Sequence, residues 1–157
     1  MKDTIKAFLD SGKVAVAGAS PNKENFGKYL LTELIKIGKE VYPVNPNYEK
    51  IDEITCYSSV RDLPEEVENL ILAVPPKLSE EITEQAAGSG IKRLWMVKGM
   101  GKGAYSEKAR ALCEENQIEV VYGFCPMMFF GGGGHKFHLW LRKTFTKLPG
   151  EYLVSSN

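Results

Sequence analysis

Gly18-Ala19-Ser20 is the segment of this chain best suited to bind an anion. It follows an apolar run at residues 14–17. It precedes a stretch at residues 26–37 in which Leu30, Leu31, Leu34 and Ile35 recur at helical spacing. A strand–turn–helix of this kind aims the free N–H groups and partial positive charge of a helix N-terminus at the turn, which is the physical basis of phosphate binding. Gly18 and Ala19 permit close backbone approach, Ser20 offers a hydroxyl, and Lys23 and Lys28 flank the turn. A plain βα turn also uses glycine and serine for geometry, so the segment alone leaves both readings open. A valine at position 18 is expected to block a phosphate while leaving the chain folded.

Two familiar phosphate motifs are absent. A P-loop needs G-x-x-x-x-G-K-[ST], whereas Gly27-Lys28 is followed by Tyr29 and Gly18 lies too far upstream. G-x-G-x-x-G is missing because Ser20 stands where the second glycine belongs. After the second apolar run, the acidic residue that would bind the ribose diol of NAD is replaced by Asn45, in Asn45-Pro46-Asn47. That argues against NAD and leaves NADP or coenzyme A open.

Other reactive side chains carry less. His135 and His138 share a helical face at most, with no acidic or thiol neighbour in sequence to complete a metal site. Cys125 precedes Pro126 at a strand end and is the best thiol candidate, although a packed structural cysteine is the simpler reading. Cys113 sits on an apolar helical stripe, Cys56 in a loop. No Ser-His-Asp set and no pair of catalytic carboxylates stands out, so no catalytic and no metal-binding residues are assigned.

The elements that must position these residues alternate. β-type runs fall at residues 14–18, 40–44, 69–74, 92–97 and 118–122, and helical stretches at 26–37, 78–87 and 105–116. The helix at 78–87 is expected to bury Leu78, Ile82 and Ala86. This alternation implies right-handed βαβ units: an α/β, Rossmann-like open parallel sheet of about five strands with helices on both faces. Pro43 lacks an N–H and places the second strand near an edge. Ligands of such sheets bind beyond the carboxyl ends of the strands. Gly18-Ala19-Ser20, Asn45-Pro46, Val74-Pro75, Lys98-Gly99 and Cys125-Pro126 all follow strand ends.

Residues 1–130 read as one domain. Residues 131–157 read as a glycine hinge (131–134) and an aromatic helix or tail, with Phe137, Trp140, Leu141 and Phe145, packed on the same domain or on a partner. A homo-oligomer or a partner subunit could use that segment. The chain has 157 residues, and Lys plus Arg (20) equals Asp plus Glu (20), so no global charge favours nucleic acid or an anionic membrane. No apolar run approaches the roughly 18 residues of a membrane span, and residues 1–6 carry no signal-peptide stretch. Three widely spaced cysteines fit a reducing cytoplasm better than a disulfide framework.

The ordered series Val16-Ala17-Gly18-Ala19-Ser20, Tyr42-Pro43-Val44-Asn45-Pro46, Cys56-Tyr57-Ser58-Ser59-Val60, Ala73-Val74-Pro75 and Gly123-Phe124-Cys125-Pro126 resembles the single-domain CoA-binding proteins. These are similar to the nucleotide-binding domain of the succinyl-CoA synthetase α subunit. The resemblance covers about residues 10–128. It implies CoA or acyl-CoA held across the strand ends by Gly18, Ala19, Ser20 and Lys23, with Asn45 and Pro46 near the adenosine. Val74 and Pro75 would pack on the adenine side, Lys98 and Gly99 would flank the pantetheine, and Cys125 would close the last corner. The synthetase's phosphohistidine domain has no counterpart here, so the implied role is CoA binding without a catalytic centre. An NADP-binding oxidoreductase or redox sensor is the alternative on the same fold.

Overall fold

The structure is a computed structural model and describes residues 1–98 and 103–130. In chain order it contains α1 (Lys2–Asp10), β1 (Lys13–Ala17), α2 (Phe26–Lys36), β2 (Glu40–Val44), the short strands β3 (Lys50–Ile51) and β4 (Ile54–Thr55), a 3-10 turn (Val60–Asp62) and β5 (Asn69–Leu72). There follow α3 (Pro76–Ala86), β6 (Arg93–Met96), α4 (Glu107–Glu115), β7 (Glu119–Val121) and α5 (Met127–Phe130). Five strands form one parallel sheet in the order β2-β1-β5-β6-β7. The expected Rossmann-like α/β architecture is therefore present. The strand order reverses between β1 and β5, the position at which open parallel sheets bind their ligands.

Alternation within each strand divides the core in two. Val14, Val16, Ile71, Trp95 and Val97 face one layer with Ile5, Phe8, Leu30, Leu31, Leu34, Met127 and Phe130, from α1, α2 and α5. Ala15, Ala17, Leu70, Leu72, Leu94 and Met96 face the other layer with Ala86, Ala109 and Cys113, from α3 and α4. Both strand faces are buried, which is why the strands read as near-continuous apolar runs.

Three elements were not evident from sequence. Helix α1 lies in a stretch with few apolar residues, yet it buries Ile5 and Phe8 completely. Lys39 closes its end by donating from Nζ to the carbonyls of Leu9 and Ser11, and it lies 5.9 Å from the Phe130 ring centroid. The hairpin β3–β4 is two residues per strand, too short for any periodicity, and α5 is a single turn. The inner face of α3 also differs from expectation. Ser79, Thr83 and Ala86 are buried and Leu78 is 43% exposed. Pro76 starts the helix, two residues earlier than expected, and small residues let α3 approach α4 closely. Likewise Ile35, expected inside, is 46% exposed.

Trp95 anchors the first layer. It is fully buried, meets Phe8 edge-on at 5.4 Å and Phe129 at 5.6 Å, and donates from Nε1 to the Phe124 carbonyl at 3.1 Å. Trp95→Ala is expected to cost about 3–5 kcal/mol in urea denaturation. Leu78→Ala, on the exposed face of α3, should stay within about 0.5 kcal/mol of the parent.

Candidate functional site at the carboxyl edge of the sheet

The loop after β1 is built by contact on three sides. Its amide at Gly18 donates to the Val44 carbonyl of β2 at 3.3 Å, and on the other side Ala73 donates to the Ala17 carbonyl at 2.9 Å. Gly18 has φ +96°, and a Cβ there would lie 2.3 Å from the Ala73 carbonyl oxygen and 2.7 Å from Val74 Cγ1. Gly27, in the first turn of α2, presses on the loop from above: its Cβ would lie 2.6 Å from Ala19 N and 2.7 Å from the Gly18 oxygen. The loop can be this tight only because both positions lack a side chain. A valine at 18 would therefore collide with backbone and strain the fold, contrary to the expectation that it would disturb only a ligand.

Two asparagines fix the rest of the loop. Asn25 is the N-cap of α2, and its Oδ1 accepts from Lys28 N at 2.8 Å and from Ser20 N at 3.1 Å. Asn45 donates from Nδ2 to the Ala19 carbonyl at 2.8 Å while its Oδ1 accepts from Asn47 N at 3.0 Å. The neutral residue at the end of β2 is thus spent on the loop after β1. Phe26 and Gly27, at the first helical positions of α2, have no intrahelical acceptor for their amides, as in any helix, and so face the loop with positive partial charge.

The cations divide. Lys28 donates to Asp52 Oδ1 at 2.9 Å and to the Pro21 carbonyl at 3.1 Å, tying α2 and the loop to the β3–β4 hairpin. Lys23 is exposed beside the loop and makes no ion pair among the described residues.

All the remaining residues singled out from sequence follow strand ends on this same edge, apart from Gly99, which lies outside the described residues. Asn45 bonds Ala19, and Gly18 abuts Val74, so these four converge. Ser20 joins them through Asn25. Pro46 and Pro75 are exposed at the rim. Lys98 is exposed at the end of β6 and donates its amide to Phe124 at 3.0 Å, which brings it to the corner containing Cys125. Asn25 and Gly27 were missed in sequence; a glycine inside an otherwise apolar helical stretch was the available signal for the second.

The thiols separate by burial. Cys113 is fully buried, and burial pushes its thiol up to about 12. Cys56 is also buried, and burial raises its thiol above the ordinary range. Cys125 is partly exposed. Among the described residues no cluster of His, Cys, Asp or Glu could hold a metal ion. His135, His138 and the aromatic segment lie outside the described residues. A cleft of about 590 Å³ between Val60 and Lys92 lies near the starts of β5 and β6, away from this edge, and mixes Arg61 and Lys92 with Glu65 and Glu68.

The family described as "CoA binding domain" matches residues 12–130. The chain belongs to this CoA-binding family. The match takes in every strand of the parallel sheet and the whole carboxyl edge just described. Among curated proteins, ADP-forming acetate–CoA ligase II of Archaeoglobus fulgidus is 43% identical over 81 residues, covering 50% of this chain and 12% of the ligase. Ligase I of the same organism is 33% identical over 110 residues, covering 70% of this chain and 16% of the ligase. The CoA-binding chain therefore spans only a small part of these relatives. Among solved structures, a conserved hypothetical protein from Pyrococcus furiosus is 39% identical, with 75% of this chain and 98% of that one aligned at a TM-score of 0.69. A hypothetical protein from Pyrococcus horikoshii is 34% identical, with 81% and 87% aligned at 0.73. Among the described residues no helix is long and apolar enough to cross a membrane.

Gly27→Ala should destabilise the protein by about 1–3 kcal/mol, because overpacking against Ala19 outweighs alanine's better helix propensity. Gly12→Ala, where a Cβ meets nothing within 4 Å, is the control and should leave the melting temperature nearly unchanged. Under native conditions at pH 8, iodoacetamide should modify Cys125 first and leave Cys113 untouched; mass mapping of the labelled peptides reads the order.

Proposed function

We propose that this chain binds CoA or an acyl-CoA, as ligand or substrate, in the crevice at the carboxyl edge between β1 and β5. The observation that carries this reading is the loop of residues 18–25, squeezed bare of side chains at Gly18 and Gly27 and facing the first turn of α2. Such a surface offers backbone amides to a pyrophosphate. Family membership supplies the ligand class. Gly18, Ala19 and Ser20 would contact the phosphates, with Lys23 adding charge. Pro46, beside Asn45, would border the adenosine. Val74 and Pro75 would flank the adenine, and Lys98, Gly99 and Cys125 the pantetheine arm.

Among the described residues of this edge we assign no acid, base or nucleophile, and we read the site as a binding unit. Two related ligase chains from Pyrococcus furiosus are α subunits, 28% and 27% identical to this chain. We infer that a partner subunit would supply any chemistry and that residues 131–157 are the segment available to meet it. NADP on the same fold remains the competing ligand.

A thermal-shift series with CoA, acetyl-CoA, NAD and NADP tests the reading. Ligand at about 100 times its dissociation constant stabilises by ~2.7 kcal/mol, or roughly 5–11 °C for a chain of this size. CoA or acetyl-CoA should give that shift and the dinucleotides should not. Lys23→Glu, an exposed substitution, should leave the unliganded melting temperature alone and weaken CoA binding. A shift with NADP alone overturns the proposal.

A further inference from the structure

Two aromatic rings stand at the carboxyl edge without serving the core. Helix α2 docks on the sheet through Gly27, Leu30, Leu31 and Leu34. Phe26 and Tyr29, in its first turn, lie off that face and are 37% and 38% exposed. Their rings are in contact, with centroids 6.1 Å apart and planes inclined at 36°. Single apolar side chains on a surface are ordinary. A contacting aromatic pair beside a binding edge offers a surface to the apolar part of a ligand.

The neighbouring bank is aromatic too. Phe124, Cys125 and Phe129 are partly exposed and pack on the core layer that holds Leu30 and Leu31. The Phe124 and Phe129 rings meet edge-on at 5.9 Å. The Tyr29 phenol interacts electrostatically with the Cys125 thiol, so the first turn of α2 and the corner after β7 are neighbours. That corner is held in place, because the Phe124 carbonyl accepts from Trp95 Nε1 at 3.1 Å and from Lys98 N at 3.0 Å.

We propose that Phe26 and Tyr29, beside the Cys125 corner, form the subsite for the acyl group of a CoA thioester, and that this subsite favours a bulky apolar acyl group, aromatic above all, over acetyl. This rests on the reading that the carboxyl edge binds CoA. With the phosphates at residues 18–20 and the pantetheine arm running to Lys98 and Cys125, the thioester ends at the corner that Tyr29 adjoins. An acetyl group adds one methyl beyond its carbonyl and covers little of two rings. A benzoyl group stacks on them or meets them edge-on, and removes far more apolar surface from water.

Calorimetric titration of the full chain with CoA, acetyl-CoA and benzoyl-CoA tests the proposal. The wild type should bind benzoyl-CoA at least about tenfold more tightly than acetyl-CoA. Phe26→Ala combined with Tyr29→Ala should erase that preference and leave the affinity for free CoA within about twofold, because neither ring meets the phosphates. Tyr29→Phe keeps the ring without the hydroxyl and should keep the preference. Equal binding of acetyl-CoA and benzoyl-CoA by the wild type overturns the proposal, whatever the variants do. So does a preference that survives in the double variant, which would put the acyl group elsewhere, or an equal loss of all three ligands, which would make the pair structural. Absence of binding of any of the three by the wild type overturns the function reading and this inference with it; CoA binding without a benzoyl preference overturns this inference alone.

Discussion

The tightness of one turn governs this structure. Between β1 and α2 the backbone passes through a space walled by the Ala73 carbonyl, the Val74 side chain and the first turn of α2. That space closes only if residues 18 and 27 present no Cβ. The glycine at 18 also adopts a left-handed φ that bulkier residues resist. Once the turn is closed, α2 is held against the sheet, the β5 loop is held beside it, and Asn45 reaches the Ala19 carbonyl from β2. Three strand ends are thereby fixed relative to one another.

Much of this was legible in the sequence. Apolar runs separated by helical stretches mark a parallel sheet, because strands buried on both faces cannot alternate. Pro43 marks the edge strand, and β2 does lie at the edge. Short elements were not legible: β3 and β4 have two residues each, and α5 has one turn. Helix α1 escaped because only a few of its residues are apolar, and its burial is decided by a distant Trp95 and by Lys39. In the site, positions after strand ends could be read from sequence. The division of labour among them could not, because nothing local shows that Asn45 spends itself on Ala19 or that Lys28 turns to Asp52.

The two edges of the sheet do different work. At the carboxyl edge the loops are bare and rich in backbone polar groups. At the amino edge, side chains are tied together: Thr4 Oγ1 donates to Glu119 Oε2 at 2.7 Å, and Arg93 reaches Glu68 at 3.4 Å and Asn69 Oδ1 at 3.3 Å. Asn69 in turn donates to Ser11 Oγ at 2.8 Å. Most of these groups are partly exposed, so each contact is worth little alone, but together they join α1 to three strands.

The outer margins of the sheet have a consequence for the protein in a crowded solution. A free strand edge is a template on which other chains can add strands and build aggregates. Here β2 carries Pro43, which has no N–H to offer. Its outer side is already met by Tyr57, which donates to the Pro43 carbonyl at 2.9 Å and forms a parallel bridge with Val44. The opposite margin, β7, is three residues long. Neither side presents the long, flat ladder that edge-to-edge growth requires, so this small sheet is guarded against recruiting copies of itself.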